Sequence, residues 1–140
     1  MKNFALAFTL LFFISAYSQS TNPNKNLNFN ITSLNEDPII DGNILDEDLW
    51  NSLLPLTDLK QIKPNYGASA SENTEIRIAY TSKTLYVAVV CYDSAPNEIV
   101  VSDSRRDADL NDDDSFLFII DTYNDQQNGF LFGTNADGME

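Results

Sequence analysis

The sequence predicts an all-β fold, an antiparallel β-sandwich with one short helix. Short apolar runs recur between turn signals: TEIRIAYTSKTLYVAVVCYD over 74–93, SFLFIID over 115–121 and GFLFGTN over 129–135. Runs of this length, rich in β-branched and aromatic residues and bounded by Gly, Asn, Asp and Ser, mark strands. Only one segment carries helical spacing, and no internal repeat or heptad is present. Many strands with one helix leave sheet packed on sheet as the expected architecture.

The chain opens with Lys2, an apolar run from Phe4 to Ile14, and then Ala16 and Ser18 at the spacing of a small-x-small cleavage site. Residues 1–18 read as a signal peptide cut before Gln19. The apolar run is shorter than the roughly 20 residues needed to span a bilayer, and no Cys near the cut could carry a lipid. The mature protein is expected to be exported to the cell envelope, periplasm or outer membrane, or secreted.

Residues 19–34 form a polar, Asn-rich linker and a first strand between Asn28 and Leu34, where Phe29 and Ile31 alternate. Residues 35–140 form the sandwich domain. Pro38, Ile39 and Ile40 lead into a turn at Asp41-Gly42. Leu45, Leu49, Trp50, Leu53 and Leu54 then fit one or two helical turns, with Asp46 as N-cap and Pro55 as terminator. Trp50, the only Trp, is expected to close one end of the sandwich together with Leu49 and Leu53.

The small, polar residues 62–73 read as a loop. Ile76, Ile78 and Tyr80 alternate with Glu75, Arg77 and Ala79, residues 81–84 make a turn, and Leu85 to Tyr92 is apolar on both faces. The second strand of this hairpin is therefore expected to be central and buried, with Cys91 an inert buried thiol. Tyr80, Tyr86, Tyr92, Phe116, Phe118, Phe130 and Phe132 sit at strand spacing and are assigned mostly to the core. GFLFGTNADGME stops just after a strand-like run, so the chain reads as the N-terminal part of a longer protein, its C-terminal domain missing here.

Twenty-one acidic residues against 8 basic ones give a net charge of −13. That balance excludes nucleic acid, whose phosphates need a basic surface, and argues equally against an anionic membrane face. The chain has no His and a single Cys. Ser-His-Asp and Cys-His nucleophile systems, nearly all catalytic zinc sites and an internal disulfide are thereby excluded.

The acidic residues concentrate in VSDSRRDADLNDDDSF, where Asp103, Asp107, Asp109, Asp112, Asp113 and Asp114 surround Arg105 and Arg106. Such a cluster must be solvated, paired with the arginines or bridged by a cation. Asp107-x-Asp109-x-Asn111 imitates the start of a helix-loop-helix calcium loop, but Asp112 stands where Gly is required and Phe118 where the bidentate Glu is required. A generic calcium site on Asp107, Asp109, Asp112, Asp113 and Asp114 stays open beside a solvated loop with Arg–Asp pairs. A glycosidase needs two carboxylates about 5–10 Å apart, and the sequence singles out no such pair. Tyr66 and Tyr123 lie in polar loops, where they are candidates to stack on a ligand or to cap the ends of the sandwich.

The blocks IIDGNILDEDLW, TEIRIAYTSKTLYVAVVCYDSAP and RRDADLNDDDSFLFIIDTYNDQQNGFLFGTNADG, in that order over residues 38–140, resemble carbohydrate-binding module family 9. The likeness is to the N-terminal domain of exported Bacteroidota proteins, where the module precedes a large domain of unknown function expected to be an outer-membrane barrel. The resemblance implies a β-sandwich that grips polysaccharide or oligosaccharide ends between aromatic rings and holds structural calcium. Position by position, this chain has Asn111 where sugar-binding members carry a Trp before the Asp-Ser pair, here Asp114-Ser115. It has Leu117 where they carry Glu and Gly133 where they carry Arg. Tyr66, Arg105, Arg106, Asn111 and Tyr123 are the candidate ligand contacts, and Asp41, Gly42 and Trp50 the structural marks. The expected function is a non-catalytic carbohydrate-binding module associated with carbohydrate catabolism. The alternatives are a docking domain of an outer-membrane barrel protein and part of a glycoside hydrolase acting on O-glycosyl bonds.

Overall fold

The computed structural model describes residues 29–138. The signal-peptide reading and most of the linker fall outside the described residues. Alternation in sequence builds the first hairpin as expected: β2 (Thr74–Tyr80) pairs antiparallel with β3 (Leu85–Cys91) in an unbroken register from Thr74 opposite Cys91 to Tyr80 opposite Leu85. The intervening turn closes through the Thr81 N–H donating to the Thr84 carbonyl at 2.9 Å.

The opposite edge of β2 is occupied at both ends. The two-residue β1 (Thr32–Ser33) runs parallel to it, opposite Ala79 and Tyr80, and Leu56 bridges Ile76 through two backbone hydrogen bonds of 2.7 and 3.0 Å. The sheet order β1-β2-β3 corrects two expectations. β2, not β3, is the central strand, and one pairing is parallel. β3 lies at the sheet margin, so its apolar residues Val87 and Val89 are only half-buried, and Cys91, at its end, is exposed rather than inert in a core.

Cross-strand register sets Glu75, Arg77 and Ala79 on one face with Val90, Ala88 and Tyr86. On that face Ala79 and Ala88 are buried in a cluster with Trp50 and Leu53, flanked by Leu34, Ile44, Leu49 and Tyr86. Small residues on neighbouring strands leave the space that a large ring fills. The helix α1 (Asp48–Asn51) and the turn that follows it deliver Trp50 and Leu53 to this face. The helix makes one turn, within the one or two expected, and its N-cap is Glu47, without a side-chain capping bond, rather than Asp46. Side chains fasten it instead: Asn51 Nδ2 donates to the Leu45 carbonyl at 2.7 Å and Ser52 Oγ to the Leu49 carbonyl at 2.6 Å. The preceding turn forms as predicted, with Gly42 at φ 80° and the Asn43 N–H on Asp41 Oδ1 at 2.8 Å.

Arg77 is buried on this same face, its Nη2 2.8 Å from Glu75 Oε2, while Nε and Nη1 have no hydrogen-bond partner among the described residues. The Glu75–Arg77 alternation thus marks a covered ion pair and not a solvent face.

The second sheet is the hairpin of β4 (Ser115–Ile120) and β5 (Phe130–Asn135), paired from Ser115 opposite Asn135 to Ile120 opposite Phe130. Phe116, Phe118 and Phe132 share one face, where ring centroids lie 5.9 and 5.2 Å apart. The other face carries Leu117, Ile119 and Leu131, all exposed. Tyr80, Tyr92, Phe130 and Phe132 are likewise exposed, and Tyr86, Phe116 and Phe118 half-buried, against the expectation that most were core. Two strands present more apolar surface than they can cover themselves. The all-β class with one short helix holds, while the buried cluster belongs to the first sheet and α1 alone.

Replacing Trp50, 4% exposed, by Ala should destabilise the fold by about 3–5 kcal/mol. Urea unfolding followed by circular dichroism checks this, and a variant within about 1 kcal/mol of the parent would show that the cluster does not anchor the sheet.

Candidate functional site

The acidic segment between β3 and β4 is folded by its own carboxylates. Asp113 Oδ1 accepts the Ser102 N–H at 2.8 Å and the Ser102 hydroxyl, and its Oδ2 accepts Asn135 Nδ2 at 3.0 Å. Asn135 is buried and also donates to the Asp103 carbonyl at 2.9 Å, tying the end of β5 to the loop. Its Oδ1 receives the Asp137 N–H, and Asp137 in turn accepts the Ser104 hydroxyl. Asp114 exchanges bonds with Val100, its Oδ2 accepting the Val100 N–H at 2.7 Å and its own N–H reaching the Val100 carbonyl at 2.9 Å.

Arg105 folds back on Asp103. Its Nε lies 3.0 Å from both carboxylate oxygens, its Nη2 2.5 Å from Oδ2, and its backbone N–H 2.9 Å from Oδ1. The guanidinium bonds, then the backbone N–H, hold the Asp103 carboxyl at about 2, below its ordinary 3.8. The Ser102 hydroxyl and then the Asn135 amide lower Asp113.

The structure therefore separates the predicted ligand and metal residues. Arg105 is engaged with Asp103, whereas Arg106 extends into solvent, 3.8 Å from Asp107. Asp109 accepts from the N–H and side-chain amide of Asn111. Among the described residues no group of three or more His, Cys, Asp or Glu side chains could hold a metal ion. Of the candidate metal residues, Asp109, Asp113 and Asp114 each accept from a different local donor.

Tyr66 and Tyr123 project from separate loops, 80% and 77% exposed. The Tyr123 loop has an internal frame that the sequence reading missed. Asp121 accepts the N–H groups of Tyr123, Asp125 and Gln126, and Asp125 those of Gln127 and Asn128. The backbone donors, Gln126 first, lower Asp121, and the Asn128 side chain is the leading cause lowering Asp125. The recurring Asp-x-N–H spacing was the available signal.

Gly133, at the position where the resemblance places an Arg in sugar-binding members, is tightly packed: a Cβ there would lie 2.9 Å from Leu110 Cδ1 and 3.2 Å from Leu117 Cδ2. The carboxylates whose pKa is displaced, Asp103, Asp113, Asp121 and Asp125, all move down. A glycosidase general acid requires the opposite direction. A cleft of about 640 Å³ opens between the Val87–Val89 side of β3 and the Phe116–Phe118 side of β4. Comparison with known proteins returns no matching family model, no matching curated protein and no matching solved structure.

A carboxyl lowered on folding contributes stability above its ordinary pKa and loses it as pH falls through the lowered value. The Asp103 contribution should accordingly fade between pH 3.8 and about 2. Urea midpoints measured across that window should fall less steeply in Arg105→Ala than in the parent, and identical slopes would refute the coupling.

Proposed function

We propose that the chain is a non-catalytic carbohydrate-binding module of an exported cell-envelope protein, associated with carbohydrate catabolism. The observation that carries this reading is the exposure of Tyr66 and Tyr123, two aromatic rings held out on polar loops. Aromatic rings offer a flat apolar face to the C–H surface of a sugar while the phenol hydroxyl remains available for hydrogen bonding. The family 9-like sequence blocks, the leader-like first 18 residues and the all-β class support it.

One observation favours a second reading, a docking domain attached to an outer-membrane barrel. One face of the β4–β5 hairpin exposes Leu117, Ile119 and Leu131 together, and contiguous exposed apolar surface marks interaction sites.

Native affinity electrophoresis through gels containing xylan, β-glucan or mannan tests the first reading. Retardation on at least one polysaccharide is expected. Tyr66→Ala and Tyr123→Ala should each weaken it roughly threefold to tenfold, the loss of one aromatic contact of about 1 kcal/mol, without shifting the urea midpoint. Absence of retardation on every polysaccharide would overturn this reading and leave the docking one.

A further inference from the structure

The cleft between β3 and the β4–β5 hairpin has apolar walls and a polar margin of one sign. Val87 and Val89 line one wall and Phe116 and Phe118 the other. Its volume of about 640 Å³ is that of sites enclosing small molecules, roughly 300–1,000 Å³. The apolar walls favour a ligand body that removes them from water.

Glu72, Asp93 and Asp114 border the same cleft. Each accepts a hydrogen bond from a neutral donor: the Ser94 hydroxyl at 2.6 Å, the Ala95 N–H at 2.7 Å and the Val100 N–H at 2.7 Å, respectively. None takes part in the ion pairs found among the described residues, and among those residues no Lys or Arg lines the cleft. Three carboxylates without a cationic partner beside aromatic walls select the charge of an incoming group.

We infer that this cleft binds a ligand with an apolar or aromatic body ending in a protonated amine. The body packs between Val89 and the Phe116–Phe118 pair, and the ammonium group answers the carboxylates, with the ring faces adding a cation–π attraction. An anionic amphiphile would bring like charge to the same margin. The site is separate from Tyr66 and Tyr123 and does not depend on the carbohydrate reading.

Calorimetric titration of the full chain with phenylbutylammonium, phenylbutanol and phenylbutanoate tests the assignment, with Cys91 as a position marker because its exposed thiol lines the cleft. The ammonium probe should bind roughly threefold to tenfold more tightly than the alcohol, the scale of partly exposed charge pairs. The carboxylate probe should bind weakest. Bound ammonium probe should slow alkylation of Cys91 by iodoacetamide. Glu72→Gln, which keeps a side-chain acceptor for Ser94, should remove part of the preference for the cation while leaving affinity for the alcohol unchanged. Equal affinity for the three probes, no binding, or binding that leaves Cys91 alkylation unaltered would overturn the inference. Retardation on polysaccharide gels is unaffected by any of these outcomes.

Discussion

The packing of Trp50 and Leu53 over Ala79 and Ala88 is the contact on which the order of the N-terminal half depends. An isolated helix of four residues has no stability of its own in water, so α1 exists because its apolar side chains are buried against the sheet. Once α1 is seated, the chain entering it must pass Leu34 and Ile44 along the same cluster. The chain leaving it must reach Leu56 at the edge of β2. Both edges of β2 are then occupied, and its backbone groups find partners along most of its length. The two alanines matter as much as the ring, since larger side chains there would hold the indole away from the strands.

The parts of this arrangement that could be read in advance are those set by local pattern. The β2–β3 and β4–β5 hairpins follow from period-two alternation and turn residues, and their observed ends differ from expectation by a residue or so. Which strand is central was not legible, because apolar content on both faces of β3 imitates a buried strand. The decision came from distant segments, Thr32–Ser33 and Leu56, choosing the edge of β2. The helix cap was misplaced for a related reason. Asp46 has the right chemistry, but Asn51 and Ser52 fix the turn from the other side. Burial of Arg77 had no local signal, since it depends on what crosses its face.

The candidate site shows the same division. Carboxylates spaced two residues before a backbone donor recur at Asp41, Asp93, Asp103, Asp109, Asp121 and Asp125. In each case the side chain stands in for a backbone carbonyl and closes a turn. Much of the acidic content is thus spent within the loops, each carboxylate closing its own turn. Only the residue spacing was visible in sequence. The link from Asp113 through Asn135 to the Asp103 carbonyl spans the segment and the far end of β5, and appears only in three dimensions.

The β4–β5 hairpin has a consequence for how the molecule behaves in a crowd. Neither strand contains a charged residue or a proline, the usual devices that keep a sheet edge from recruiting another. The charge that restrains such recruitment is carried by the loops flanking the hairpin, as part of the net −13 of the chain. Protection at a distance of this kind acts through the field around the molecule and not through steric blocking, so it is a property of the solution as much as of the fold. Salt shortens its reach to about 3 Å at 1 M, less than the separation of neighbouring strands. Colloidal stability and thermodynamic stability are consequently set by different residues in this protein: the first by the acidic loops beside β4 and β5, the second by a tryptophan of α1 packed against the other sheet.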